Sequence, residues 1–329
     1  MGDRLKGRVA VVTGSGQGVG RAIAIAMAKE GAKVVTNNRQ SGSTGLTVDG
    51  EEFDKKLTPE EKEGAHRIAG DAETTAKAIR DMGGEAVPFF GDVSSFEVAD
   101  RLIQTAVDKF GKVDILVNNA GTFGHAPVWE MTEELWDRVA LGKPKSYFNC
   151  IRYASPIMKE QRWGRIINCS STGWLGSTDS CCYSAANAGV VGLSRAVAIE
   201  LYEYGITCNV YCPNAVTRAS VTTKARARIT TEAGGTVSRG PARLLGVVRP
   251  QPEAIGPFIV YLATDEAAHI SGTVFGVGGS GSGFTNEVRI YSEPEPKKAI
   301  EKETDLWTVD ELVETVPRTL LEGYKSPAA

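Results

Sequence analysis

A run of β-branched and small residues, Arg8-Val-Ala-Val-Val-Thr13, passes directly into Gly14-Ser-Gly-Gln-Gly18-Val-Gly20, and Ala22, Ile23, Ile25, Ala26 and Met27 follow ahead of Gly31. That order reads as strand, glycine turn and helix, and it restricts the fold more than any other stretch of the chain. Glycines let backbone approach a bound group closely, while the helix N-terminus presents unpaired N–H groups and a partial positive charge. A pyrophosphate suits that position, so the chain is expected to open on a nucleotide-binding βα unit.

The alternation continues. Lys33-Val-Val-Thr-Asn37 is a second strand, ending where the adenosine ribose of a dinucleotide would lie. Asn38 and Arg39 stand there instead of an acid, so a 2′-phosphate could pair with the guanidinium unrepelled. This slightly favours NADP(H) over NAD(H), although Gln17 adds no second cation to the glycine loop and Arg39 can equally be solvated. Residues 40–70 are polar and charge-dense and read as a surface insertion with little core of its own. A helix from Asp71 to Met82, a strand from Glu85 to Phe90, the pair Asp92-Val93 and a helix from Ser95 to Phe110 come next. Val113-Asp-Ile-Leu-Val117 is a strand buried on both faces, followed by Asn118-Asn-Ala-Gly121. Such units predict an α/β fold, a parallel sheet wrapped by helices with its ligand at the carboxyl ends of the strands.

Thr132-Glu-Glu-Leu-Trp136 starts a long helix that must pass Gly142-Lys143-Pro144. Pro144 removes one helix N–H and crowds the carbonyl of Ala140, so a kink is expected there. Arg165-Ile-Ile-Asn-Cys169 is a strand ending on Ser170, and Ile206-Thr-Cys-Asn-Val-Tyr211 is another, ending on Pro213. Between them Tyr183 follows Ser170 by thirteen residues and opens an apolar helical run through Ala185, Ala186, Val190, Val191, Leu193 and Val197. A cation four residues after the phenol, on the same helix face, would favour phenolate and make an acid/base of it. That residue is the uncharged Asn187. From 219 to 250 the chain reads as irregular and basic, with Lys224, Arg226, Arg228, Arg239, Arg243 and Arg249 against Glu232. It is either a solvated loop or a lid contacting an anionic substrate. Pro252 to Thr264 is helical and Gly272-Thr-Val-Phe-Gly-Val277 is a last strand. The tail from 284 to 329 carries the capping-box pattern Thr308-Val-Asp-Glu311 ahead of Leu312, Val313, Val316 and Leu320, which predicts a short helix.

Five motifs in this order resemble the short-chain dehydrogenase/reductase family over about residues 5–283. Thr13-Gly14-Ser15-Gly-Gln17-Gly18-Val19-Gly20 matches its TGxxxGxG cofactor loop, Asp92-Val93 its adenine-side pair, and Asn118-Asn119-Ala120-Gly121 its NNAG stretch. Tyr183-Ser-Ala-Ala-Asn187 is the YxxxK motif without its lysine, and Pro213-Asn-Ala-Val216 replaces the usual PGxV beside the nicotinamide carboxamide. Cys208-Asn-Val-Tyr-Cys-Pro-Asn-Ala and the long segment after strand two look closer to the 3-hydroxyacyl-CoA dehydrogenase domains of multifunctional β-oxidation enzymes and their steroid-pathway relatives. The resemblance implies one doubly wound Rossmann domain over 1–283 with a seven-stranded parallel sheet, and a C-terminal extension over 284–329. It also implies an NAD(P)(H)-dependent oxidoreductase acting between a secondary alcohol and a ketone, with a 3-hydroxyacyl-CoA or a steroid-like alcohol as the leading substrate class. A homo-oligomer, tetramer or dimer, built through the helices beginning near Thr132 and Tyr183 is implied in the same way.

In that family the tyrosine exchanges a proton with the substrate oxygen while hydride passes to or from the nicotinamide, and the serine holds that oxygen. The lysine lowers the phenol pKa and grips the nicotinamide ribose, and an asparagine at the kink of the preceding helix completes a water relay. Here Asn187 stands in the lysine's place, and Lys143, seven residues after Trp136, stands where the kink asparagine falls. A phenol without a cationic neighbour ionises near pH 10, roughly 4 kcal/mol from phenolate at neutral pH. Either Lys143 reaches inward with its stem of about 6 Å, while Asn187 bonds to the ribose, or Lys143 points to solvent and the chain is a silent, nucleotide-binding subunit partnering an intact relative.

The formal charge of −3 speaks against a nucleic-acid partner. The N-terminus has no apolar leader and no run approaches the roughly 18 apolar residues of a membrane span, so a soluble cytoplasmic protein is expected. The six cysteines lack paired C-x-x-C spacing and read as reduced packing residues, Cys169, Cys181 and Cys182 flanking the catalytic pair. His125 is read as an ordinary loop residue or a pocket wall, Trp174 as a wall beside Ser170, and His66 and His269 receive no role. No metal-ligand spacing is visible.

Overall fold

A computed structural model describes residues 2–42, 55–67, 69–235, 249–278, 287–292 and 318. The chain divides into two compact units, Met1–Glu293 and Pro294–Ala329, and every element below belongs to the first. In chain order the strands are β1 Val9–Val12, β2 Lys33–Asn38, β3 Ala86–Phe90, β4 Ile115–Asn118, β5 Gly164–Cys169, β6 Ile206–Asn214, β7 Val274–Gly278 and β8 Glu287–Ser292. The described helices are α1 Gly18–Lys29, α2 Pro59–Arg67, α3 Ala72–Asp81, α4 Phe96–Phe110, α5 Glu133–Trp136, α6 Gly142–Gln161, α7 Cys181–Leu201, α8 Arg218–Glu232 and α9 Gly256–Leu262.

The strands form one sheet in the order β3-β2-β1-β4-β5-β6-β7-β8. The first seven are parallel, as the β-α alternation predicts. Strand order reverses between β1 and β4, and in open parallel sheets that switch point opens a crevice at the carboxyl ends. Side-chain alternation divides each central strand between two cores. Ala10, Val12, Ile115, Val117 and Ile167 pack into one, while Val9, Val11, Leu116 and Ile166 pack into the other. Burial on both faces explains why these strands read as unbroken apolar runs. Among the described residues no helix is long and apolar enough to cross a membrane.

Four expectations change. An eighth strand, β8, runs antiparallel on β7 and comes from the segment assigned to the extension. Gly276 makes room for it, since a Cβ there would lie 2.5 Å from the Tyr291 ring. The basic stretch after 217 is not irregular at its start but helical, because Thr217 and Ser220 form a reciprocal cap at the head of α8. The insertion also holds more core than its polarity suggests. Thr58 and Glu61 cap α2 reciprocally, Leu57 and Ala65 are buried, and Arg228 of α8 pairs with Glu61 at 2.8 Å. The expected kink lies just before Pro144. Residues Asp137–Leu141 form a π-helical turn in which the Gly142 N–H donates to the Asp137 carbonyl. Widening the turn there accommodates the missing donor and the crowding by the proline ring. The predicted helix around 308–320, and Arg239 and Arg243 of the basic stretch, lie outside the described residues.

Leu116 is fully buried in β4 at the switch point. Leu116→Ala should lower unfolding stability by roughly 2–5 kcal/mol in denaturant titrations. A loss below about 1 kcal/mol, the size of an average substitution, would contradict a packed centre there.

Candidate active site

Side chains lock the two strand ends at the switch point together. Thr13 Oγ1, at the end of β1, accepts from the backbone N–H groups of Asn119 and Ala120, each at 3.0 Å. The Asn119 amide donates to the carbonyls of Thr13 at 3.2 Å and Gly14 at 3.1 Å, and its oxygen accepts from the Tyr211 hydroxyl at 3.0 Å. Ser15 Oγ donates to Val12 O and accepts from Asn37 N, which stitches the loop to β2 as well. Gly14 has φ +61°, and a Cβ at Gly20 would lie 2.3 Å from Gly14 O and 2.5 Å from Asn119 Nδ2. Only glycine fits that contact between α1 and the loop. The first turn of α1 holds no acid and Gln17 makes no side-chain cap, so its N–H groups suit an anion.

A cavity of about 630 Å³ runs from Gln17, Gly18, Val19 and Gly20 past Asn119 and Gly121 to Lys143, Ser170 and Tyr183, and on to Pro213, Asn214 and Arg249. Ser170 sits at the end of β5 and Tyr183 in the first turn of α7, so both project over the carboxyl edge of the sheet. Ser170 Oγ donates to the Asn187 carbonyl at 3.0 Å. Lys143, 5% exposed, donates from Nζ to Asn187 Oδ1 at 2.8 Å. Its ammonium lies 5.9 Å from the Tyr183 ring centre and 5.8 Å from that of Tyr147. The lysine stem packs over Gly121, where an added Cβ would meet Cδ at 3.4 Å, an ordinary van der Waals contact. Among the described residues no carboxylate pairs with this ammonium.

Asn187, expected at the ribose, is instead fully enclosed. Its amide oxygen accepts from Lys143 and its nitrogen donates to Tyr183 O at 2.7 Å, so both ends of the amide are engaged within the chain. Burial pushes the Tyr147 and Tyr211 phenols well above the ordinary value. Both therefore stay protonated donors at neutral pH, Tyr147 to Cys169 O and Tyr211 to Asn119. Sequence reasoning missed these two phenols, although each lies on an apolar face one step from a catalytic motif.

The remaining candidates sort by position. At the end of β2 the Asn38 amide accepts from Ala72 N at 2.7 Å and donates to Gln40 O, while Arg39 faces Asp92 at 4.0 Å with both side chains exposed. Val93 is buried, its carbonyl taking the Asn149 amide, and the Val216 N–H donates to Pro250 O. His125 does line the cavity, 2.6 Å from Ser180 Oγ. Trp174 does not wall it, since it packs with Val191, Val210, Cys212 and Val274 behind β6. Burial pushes the Cys150, Cys208 and Cys212 thiols up to about 12.

A family model described as short chain dehydrogenase matches residues 8–53 and 61–229. The chain is 32% identical over 283 residues to (2S)-[(R)-hydroxy(phenyl)methyl]succinyl-CoA dehydrogenase subunit BbsD of Thauera aromatica, covering 85% of this chain and 98% of that one. It is 39% identical over 216 residues to peroxisomal multifunctional enzyme type 2 of Drosophila melanogaster, covering 65% of this chain and 32% of that protein. The crystal structure of a short chain dehydrogenase from Mycobacterium avium superposes with a TM-score of 0.70 at 30% identity, covering 98% of this chain and 97% of that one.

Gly20→Ala should weaken binding of NADH or NADPH by roughly tenfold or more, because overpacking forces α1 away from Gly14. Fluorescence titration of the reduced nicotinamide measures it, and unchanged affinity would contradict the close contact. In the folded protein, iodoacetamide near neutral pH should label the half-exposed Cys181 first and spare Cys150, Cys208 and Cys212, whose raised pKa values keep them as thiols. Peptide mapping that found Cys212 labelled as fast as Cys181 would overturn this order.

Proposed function

The chain belongs to the short-chain dehydrogenase family, and on that premise we propose that it interconverts a secondary alcohol and a ketone, with Tyr183 as acid/base, Ser170 orienting the substrate oxygen and Lys143 supplying the cation that the YxxxK position lacks. The observation that carries this reading is the buried Lys143 ammonium on Asn187 Oδ1, 2.8 Å away, beside the Tyr183 ring. An enclosed lysine without a carboxylate beside it suits a place where a negative charge appears during the reaction.

The residues present fit a dinucleotide. The glycine loop admits no Cβ at Gly20, the α1 N-terminus is open to a diphosphate, and the cavity continues to Pro213 and the substrate side. When bound, the nicotinamide accepts or supplies hydride at the carbinol carbon. In the oxidative direction the Tyr183 phenolate takes the hydroxyl proton. The Ser170 hydroxyl, which donates to the Asn187 carbonyl in the free protein, turns its proton to the substrate oxygen and so fixes that oxygen beside Tyr183. Lys143 steadies the phenolate before transfer, and its two remaining N–H groups are available to the ribose hydroxyls. Asn187 is a positioning residue: it holds the ammonium and, through its own carbonyl, the serine.

Finer points follow from the same reading. Arg39, exposed and only loosely opposite Asp92, supports NADP(H) as slightly preferred, with NAD(H) also accepted. A 3-hydroxyacyl-CoA or steroid-like alcohol remains the leading substrate class, supported by the relative named as a (2S)-[(R)-hydroxy(phenyl)methyl]succinyl-CoA dehydrogenase subunit. Leu141 just before α6, Phe148 in α6 and Ile199 in α7 are exposed and support a homo-oligomer through those helices.

Steady-state rates with a panel of 3-hydroxyacyl-CoA and hydroxysteroid substrates, with both oxidised cofactors, test this directly. Lys143→Met should lower kcat by roughly two to three orders of magnitude, as removing a charge-stabilising group beside the reacting atoms does. Turnover that survived Lys143→Met unchanged would refute the role. Wild-type inactivity combined with a large gain in Asn187→Lys would instead favour a silent subunit.

A further inference from the structure

One charged group in the cavity has no part in the chemistry above. Arg249 lines the cavity that also holds Ser170 and Tyr183. Its Nε donates to Asn214 Oδ1 at 3.0 Å, and the adjoining backbone is clamped by the Val216 N–H on Pro250 O at 2.8 Å. Its Nη1 is sealed from solvent and has no hydrogen-bond partner among the described residues. The acid in the same cavity, Glu287, is paired with Arg289. Burial alone acts on the guanidinium's protonation, lowering its pKa with no acid to offset it. Arg249 nevertheless stays charged, because an arginine lies far above neutral pH. A buried cation with one edge unpartnered is unfavourable in the free protein, and the penalty is relieved when an anion arrives at the part of the side chain that lines the cavity.

A departure from the usual motif meets this arginine. Where PGxV has glycine, this chain has Asn214, and that side chain is the one gripping Arg249. Glycine would leave the guanidinium free to swing. Asparagine fixes the plane of its fork and leaves Nη1 pointing away from the bond already made.

We infer that Arg249, held by Asn214, is an oxyanion-binding subsite of the active-site cavity, filled by a phosphate or carboxylate of a bound small molecule. That anion has two possible sources, the diphosphate of the dinucleotide or an acidic group on the substrate. The inference rests on the cavity being the dehydrogenase site, but its test needs no turnover and survives a failure of the Lys143 mechanism.

The test uses the full chain with Arg249→Gln and Asn214→Gly, the second keeping the charge but freeing it. Binding of NADH and NADPH is followed by nicotinamide fluorescence. Binding of inorganic phosphate to enzyme saturated with oxidised cofactor is followed by calorimetry, so that the glycine loop is already filled. Losing a charged hydrogen bond should weaken one of the two probes about tenfold or more in Arg249→Gln and a few-fold in Asn214→Gly. Loss confined to the reduced cofactor assigns the anion to the diphosphate; loss confined to phosphate assigns it to the substrate. Melting temperature checks folding, and Arg249→Gln should melt no lower than wild type without ligand, because it removes an unpaired buried charge. Both probes binding unchanged to folded Arg249→Gln would overturn the inference.

Discussion

The contact between Lys143 Nζ and Asn187 Oδ1 is the interaction on which the site depends. An ammonium has three donors and no acceptor, so in a buried place it must find oxygens or a nearby negative charge. Asn187 provides one oxygen and turns its nitrogen back to the Tyr183 carbonyl, which anchors it to the first turns of α7. The remaining donors and the charge itself face the cavity. The lysine thus comes to this contact from α6 and the asparagine from α7.

That exchange needs particular backbone on three sides. The π turn at Asp137–Leu141 sets the direction from which α6 begins, and Lys143 lies in its first turn. The lysine stem packs over Gly121, and the Thr13–Asn119 bonds keep Gly121 in place by joining β1 to β4. Ser170 is fixed to the same assembly through the Asn187 carbonyl. The two apolar cores on either face of the sheet hold these strand ends rigid, which is why loops at a switch point can position reacting groups closely.

Much of this was legible beforehand. Apolar runs such as Val9–Val12 and Ile115–Val117, separated by amphipathic segments, announce the parallel sheet, and the glycine loop marks its ligand edge. The exchange of Lys143 and Asn187 could be seen from spacing. Its geometry could not, because the oxygen that receives the lysine, Asn187 Oδ1, is brought to it by a different helix. Strand β8 escaped notice since Val288 and Ile290 face outward on an edge strand, so its alternation resembles that of a tail. Helix α2 had a readable signal in Thr58-Pro-Glu-Glu61, obscured by the polarity around it. Arg249 looked like one cation among several, and only packing shows that its Nη1 is sealed.

The position of the lysine head with ligand bound decides the account most directly. A crystal structure of the chain with oxidised cofactor should show Lys143 Nζ still about 3 Å from Asn187 Oδ1 and within hydrogen-bond reach of a nicotinamide ribose hydroxyl, on the Tyr183 side of the cavity. An ammonium turned out into water, with neither the ribose nor the phenol within about two hydrogen-bond lengths, would contradict it.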